Sequence, residues 1–224
     1  MKNVTELVMI LDRSGSMGGL ESDTIGGFNA MIEEQKTKEG EALVSVVLFD
    51  HLCEVLYDRA PLSKVEPMTR AQYFVRGSTA LLDAMGGAID KIRTIHKYAR
   101  PEDVPEKTLF IIITDGQENA SRRYSYERVK AMIEEQKEKE HWEFLFLGAN
   151  MDAVAEAARF GIAPSRAVRY ENDAEGTRVN YQAVSAAVSA ARVAKSAREM
   201  GQAYDQDTVL APIRENYKKR KKRR

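Results

Sequence analysis

The sequence predicts an α/β protein with a doubly wound, mostly parallel sheet, one antiparallel edge strand and helices on both faces. Three observations carry that prediction. Short apolar runs alternate with segments of helical period, the pattern of strands buried on both sides between crossover helices. Two of these runs, 7–11 and 108–113, are the most apolar in the chain, and they close on Asp12 and, one residue further on, Asp115. A second pair of runs, 42–49 and 52–57, is separated by only Asp50 and His51, and a link that short forces an antiparallel hairpin.

The elements follow in order. Residues 7–11 form a buried parallel strand. Past a Gly-rich turn, Ser22 or Asp23 is placed to cap a helix reaching about Lys38, with Ile25, Phe28 and Ile32 on one face. The hairpin comes next. From Leu81 to about Tyr98, Leu82, Met85, Ile89 and Ile92 recur at helical spacing, and Pro101 and Pro105 then punctuate a loop. After the second central strand come a helix over 126–139, a strand over 143–147 and a helix over 152–160 stopped by Gly161. A short strand over 167–170 leads into one Ala-rich helix from Ala174 to about Met200. Residues 1–200 read as one domain and 201–224 as an extension.

Composition narrows the class. With 224 residues, 43% hydrophobic and 30% charged, the chain has the length and balance to bury a substantial core. No apolar run reaches the 18 residues of a transmembrane helix. The N-terminal run carries charges and ends in an acidic motif in place of a small-residue cleavage site, which argues against a signal peptide. Cys53 stands alone, so no intrachain disulfide forms. A cytoplasmic setting is expected. The net charge of zero hides an asymmetry: the seven residues from Lys218 to Arg224 are all Lys or Arg, so residues 1–217 carry the compensating −7. That run, 218–224, is expected to be disordered and to offer non-specific attraction for polyanions.

Ligands of open α/β sheets bind outside the carboxyl ends of the strands, which is where Asp12 and Asp115 fall. A lone Asp there is more often a helix cap, but each of these has company. Asp12-Arg13-Ser14-Gly15-Ser16 sets three oxygen-bearing side chains at alternate positions of one loop, and Gly15, Gly18 and Gly19 let it fold around something small. One carboxylate with two hydroxyls is a poor acid–base set and a good donor set for a hard cation such as magnesium.

Asp12-Arg13-Ser14-Gly15-Ser16 after an apolar strand resembles the D-x-S-x-S motif of the metal-ion-dependent adhesion site in von Willebrand factor A-type domains. Gly77-Ser78-Thr79, followed by Asp83-Ala84, is similar to that family's threonine loop, and Ile113-Thr114-Asp115-Gly116 to its last element. The three arrive in family order, over roughly residues 4–170. The resemblance implies a Rossmann-like fold and a site in which Asp12, Ser14, Ser16, Thr79 and Asp115 hold one divalent cation, Mg2+ with Mn2+ or Ca2+ as alternatives. It also implies a protein partner that completes the metal's shell with an Asp or Glu carboxylate. Arg13 receives no role. Gly77-Ser78 departs from the family's paired glycines before the threonine.

The remaining signals are weaker. His51, His96 and His141 lack metal-motif spacing and read as surface or turn residues. Cys53 reads as a packed thiol and Trp142 as core or half-buried packing. The chain is expected not to be an enzyme. The aspartate-nucleophile phosphatase pattern needs a second acid where Ser14 stands, and neither a phosphate-cradling loop nor a nucleophile elbow is present. A metal-dependent hydrolase, and a nucleic-acid-associated protein acting through the basic run, are the alternatives to a metal-dependent protein-binding module.

Overall fold

The structure, a computed structural model, describes residues 1–206 and 208–222. Six strands form one sheet: β1 (Val4–Asp12), β2 (Glu41–Phe49), β3 (Cys53–Pro61), β4 (Lys107–Thr114), β5 (Glu143–Ala149) and β6 (Ala167–Tyr170). Their order is β3-β2-β1-β4-β5-β6, parallel throughout except for the antiparallel edge strand β3. From β1 the chain winds outward to β2 and β3, then returns to β4 on the other side of β1 and winds outward again. The carboxyl ends of β1 and β4 therefore flank the point where the winding reverses, the crevice in which such sheets hold ligands.

The apolar runs become the two central strands because both their faces are covered. Every residue of β1 and of β4 is buried. Odd-numbered β1 residues Leu7, Met9 and Leu11 enter a core shared with α1 (Glu21–Lys36), α5 (Ala174–Val193), α6 (Ala197–Asp205) and α7 (Ala211–Lys221). Even-numbered Val8 and Ile10 face the second core, built with α2 (Leu81–Tyr98), α3 (Tyr126–Glu140) and α4 (Ala153–Arg159). Trp142 is buried there, stacked on Phe110 with ring centroids 5.4 Å apart. No helix of the described residues is long and apolar enough to cross a membrane.

Several boundaries differ from expectation for local reasons. Helix α1 begins at Glu21 behind Leu20, so neither Ser22 nor Asp23 caps it. The Ala-rich helix breaks after Val193. Ser196 caps a new helix by accepting from the Glu199 N–H at 3.2 Å, while Glu199 accepts from the N–H of Lys195, one residue before the cap, at 2.9 Å. The boundary drawn at residue 200 falls inside that helix, where Met200 and Tyr204 are buried. Most of the basic run is not disordered: Lys218 to Lys221 form the last turn of α7. There cationic side chains are favoured by the helix dipole. Buried Leu210 and Ile213 anchor that helix, and the Arg214 guanidinium donates to the Ala167 carbonyl at 2.8 Å. Arg223 and Arg224 lie outside the described residues.

Candidate metal centre

Three loops meet at the carboxyl ends of β1 and β4. In the first, the Ser14 N–H folds back onto Asp12 Oδ1 at 2.7 Å, and Gly15 to Met17 make a single helical turn. The second, Arg76 to Ala80, is tied to the first by two backbone bonds, Gly15 N to Gly77 O at 3.1 Å and Arg76 N to Arg13 O at 3.0 Å. The third follows β4, and Asn119 exchanges bonds with Thr79: its Oδ1 accepts from the Thr79 N–H at 2.9 Å and its own N–H donates to the Thr79 carbonyl at 3.0 Å. The same loop reaches the start of α2, where Glu118 accepts from the Leu82 N–H at 2.9 Å. Asp83 in turn accepts from the N–H groups of Arg122, Arg123 and Tyr124.

Four of the five candidate donors are linked side chain to side chain, and Asp12 joins them through the Ser14 N–H. Thr79 Oγ1 donates to Ser14 Oγ at 3.1 Å, Ser14 and Ser16 hydroxyls are 3.1 Å apart, and the Ser16 hydroxyl donates to Asp115 Oδ1. Thr114, which the sequence did not single out, donates from Oγ1 to Asp12 Oδ2 at 2.6 Å. Asp12, Ser14, Thr79 and Asp115 are buried, whereas Ser16 is exposed and marks the mouth. Gly116 forms the floor: a Cβ there would stand 2.8 Å from Thr79 Oγ1 and 3.2 Å from Ser16 Oγ.

The electrostatics show what this arrangement lacks. Burial, reinforced by the neighbouring Asp12 charge, pushes Asp115 up to about 6 against the opposing bonds from Ser16 and Asn172. Burial also raises Asp12, opposed by its bonds to Ser14 and Thr114. Among the described residues no Lys or Arg forms an ion pair with either carboxylate. Two desolvated carboxylates with three hydroxyls, around a space kept open by a glycine, suit a hard divalent cation. No cluster of three or more His, Cys, Asp or Glu occurs among the described residues, because most donors here are hydroxyls.

Solved structures share this architecture. One is proximal thread matrix protein 1 from the mussel byssus with a zinc-occupied MIDAS motif. It has a TM-score of 0.55 and 13% identity over 82% of this chain and 45% of that one. Von Willebrand factor type A from Catenulispora acidiphila gives 0.54 and 14%, over 83% and 42%. The ArnB paralog VWA2 from Sulfolobus acidocaldarius gives 0.51 and 17%, over 82% and 45%. This chain has the von Willebrand factor A-type fold. It spans less than half the length of each of these structures, and no family profile or curated sequence matches it.

Within this A-type fold, Arg13 has a place the sequence did not suggest. It is fully buried, with Nε 3.0 Å from Asp50 Oδ2 and Nη2 2.7 Å from Glu54 Oε2. Gly77, at φ +65°, cannot be replaced freely, because a Cβ would stand 2.2 Å from His51 Nδ1; Ser78 beside it is exposed. His51 and His141 are exposed, but His96 is half-buried, its Nε2 3.1 Å from the buried Glu6 carboxylate. Cys53 is exposed at the start of β3 instead of packed, and desolvation pushes its thiol up to about 11. Asn172, just past β6, also reaches the site. A third strand end at the same edge was its only sequence signal.

Proposed function

We propose that this chain is a protein-binding module that grips an Asp or Glu carboxylate of its partner through a divalent cation held by Asp12, Ser14, Ser16, Thr79 and Asp115. The observation that carries the reading is the convergence of three hydroxyls on two buried, uncompensated carboxylates around the Gly116 floor. Asp12 and Asp115 would balance the ion's charge, and the serine and threonine hydroxyls would orient it as neutral donors. Magnesium is the proposed ion, with manganese or calcium as alternatives. When bound, the cation supplies an electrophilic position for an outside carboxylate oxygen, on the exposed Ser16 side.

Turnover is not part of this proposal. Among the described residues no histidine stands beside a candidate nucleophile in the cleft, and the thiol of Cys53 stays protonated at neutral pH. A cytoplasmic location and a weak, salt-sensitive attraction of exposed Lys218, Lys219 and Lys221 for polyanions complete the reading. The test is a pull-down with magnesium against chelator, using wild type and Asp12→Ala. Magnesium-dependent capture that disappears in Asp12→Ala is the expected result. Equal capture under all four conditions would remove the metal from the mechanism.

A further inference from the structure

Asn172 stands in the corner between β6 and α5. Its Nδ2 donates to Asp115 Oδ2 at 2.7 Å and lies 3.5 Å from the Ser16 carbonyl oxygen. Its Oδ1 is buried with no hydrogen-bond partner among the described residues. With Oδ1 unbonded, only the contacts of Nδ2 with Asp115 and the Ser16 carbonyl hold the amide in this orientation. The corner itself is firmly held. The Asp173 N–H donates to the Glu171 carbonyl at 3.0 Å, Asp173 Oδ1 accepts from the Gly176 N–H at 2.9 Å, and Arg220 of α7 pairs with Asp173. A Cβ on Gly176 would stand 1.9 Å from the Glu171 carbonyl oxygen, so the turn has no slack.

Rotation of the Asn172 amide by a half-turn about its terminal bond exchanges Nδ2 and Oδ1 at the same place. That places an amide oxygen beside the Asp115 carboxylate, an arrangement that a cation shared between the two oxygens makes favourable. Side-chain amide oxygens are hard, neutral donors of the kind magnesium, manganese and calcium accept. We propose that Asn172 is a further donor of the cation site, delivering Oδ1 to the bound metal; the proposal rests on the metal-site reading above. Asn172 thereby sets how tightly the cation is held, from an element outside the three loops that supply the other donors.

The test is calorimetric titration of the full chain with Mn2+, together with thermal midpoints in chelator, for wild type, Asn172→Ala, Asn172→Asp and Asp12→Ala. Asn172→Ala is expected to weaken Mn2+ binding about tenfold or more. Asn172→Asp cannot donate to Asp115 and sets a third carboxylate beside it. Its midpoint in chelator should fall, yet it should bind Mn2+ at least as tightly as wild type. That opposite sign separates a donor from a side chain that merely props Asp115, for which both variants weaken alike. Both variants weakened alike, or both within twofold of wild type, while Asp12→Ala abolishes binding, would overturn the inference and leave the site intact. Failure of the wild-type chain to take up Mn2+ would overturn both.

Discussion

Arg13 and Asp50 form an ion pair, Nε to Oδ2 at 3.0 Å, in which neither side chain touches solvent. Asp50 also accepts from Arg76 Nε at 2.8 Å and from the Leu52 N–H at 2.8 Å, and its carbonyl accepts from the Ala80 N–H at 2.8 Å. One residue of the hairpin turn thus holds both the D-x-S-x-S loop and the threonine loop. Removing one member of a buried pair strands the other, at a cost of roughly 3–5 kcal/mol. Arg13→Ala is therefore expected to lose about 3 kcal/mol in denaturant unfolding, the remaining Arg76 contact softening the loss, and to weaken Mn2+ binding as the Thr79 loop loosens. Stability within about 0.5 kcal/mol of wild type, the range of ordinary surface substitutions, would contradict this account.

The Gly116 floor gives a sharper separation of binding from folding. Gly116→Ala places a methyl 2.8 Å from Thr79 Oγ1, and the hydroxyl must move. Mn2+ affinity should fall by about tenfold or more, the scale seen when groups that orient metal ligands are disturbed. The thermal midpoint in chelator should change by only a few degrees. Unchanged affinity would mean that the space above Gly116 is not where the cation sits.

Asp115 makes the metal-free protein sensitive to pH. Its folded value of about 6 lies above the ordinary 3.8, so the native state binds this proton more tightly than the unfolded chain does. The stability it contributes is full below about pH 4 and is lost as pH rises through about 6. In chelator, wild type should therefore lose more stability between those values than Asp115→Asn, which has no proton to release. Mn2+ affinity of the wild type should rise over the same window and level off above it, because a cation must displace the proton. A flat difference between the two proteins across that window would refute the assignment.

The C-terminal helix is predicted to be part of the folded unit. Ile213 is buried against the core that also takes in α5, and Ile213→Ala should cost about 2–5 kcal/mol, the range for emptying such a site. Its Mn2+ affinity, measured where the variant is fully folded, should match wild type. A loss under about 1 kcal/mol, less than such cavities cost, would show that α7 does not pack as described.

Much of this arrangement is legible in the sequence because the strongest signals are redundant. β1 and β4 are recognisable from continuous apolar runs, and Asp12 and Asp115 from their positions at the ends of those runs. Ser14 and Ser16 follow from alternate spacing in one loop. Asn172 is less legible, since a lone Asn before Asp173 at the start of α5 reads as helix capping, and its approach to Asp115 depends on how a distant corner folds. Arg13 received no role because nothing local marks its place, which is set by Asp50, 37 residues away, drawing it inward. The break between α5 and α6 is concealed by Ala-rich helical periodicity on both sides, and only the Ser196–Glu199 spacing marks it. Of the two apolar anchors of α7, Leu210 precedes the helix and Ile213 is the one buried residue within it, too few to give a helical stripe.

The placement of Asp12 at the tip of β1 has a mechanical consequence. A pull exerted at this end of the sheet passes through Asp12 into a strand registered with β2 at nine positions and with β4 at seven. Directed along the strand axis, that load meets both ladders in shear, so their hydrogen bonds must yield together and not one after another. The strand that carries Asp12 is thus also the one the sheet is best built to keep from being drawn out.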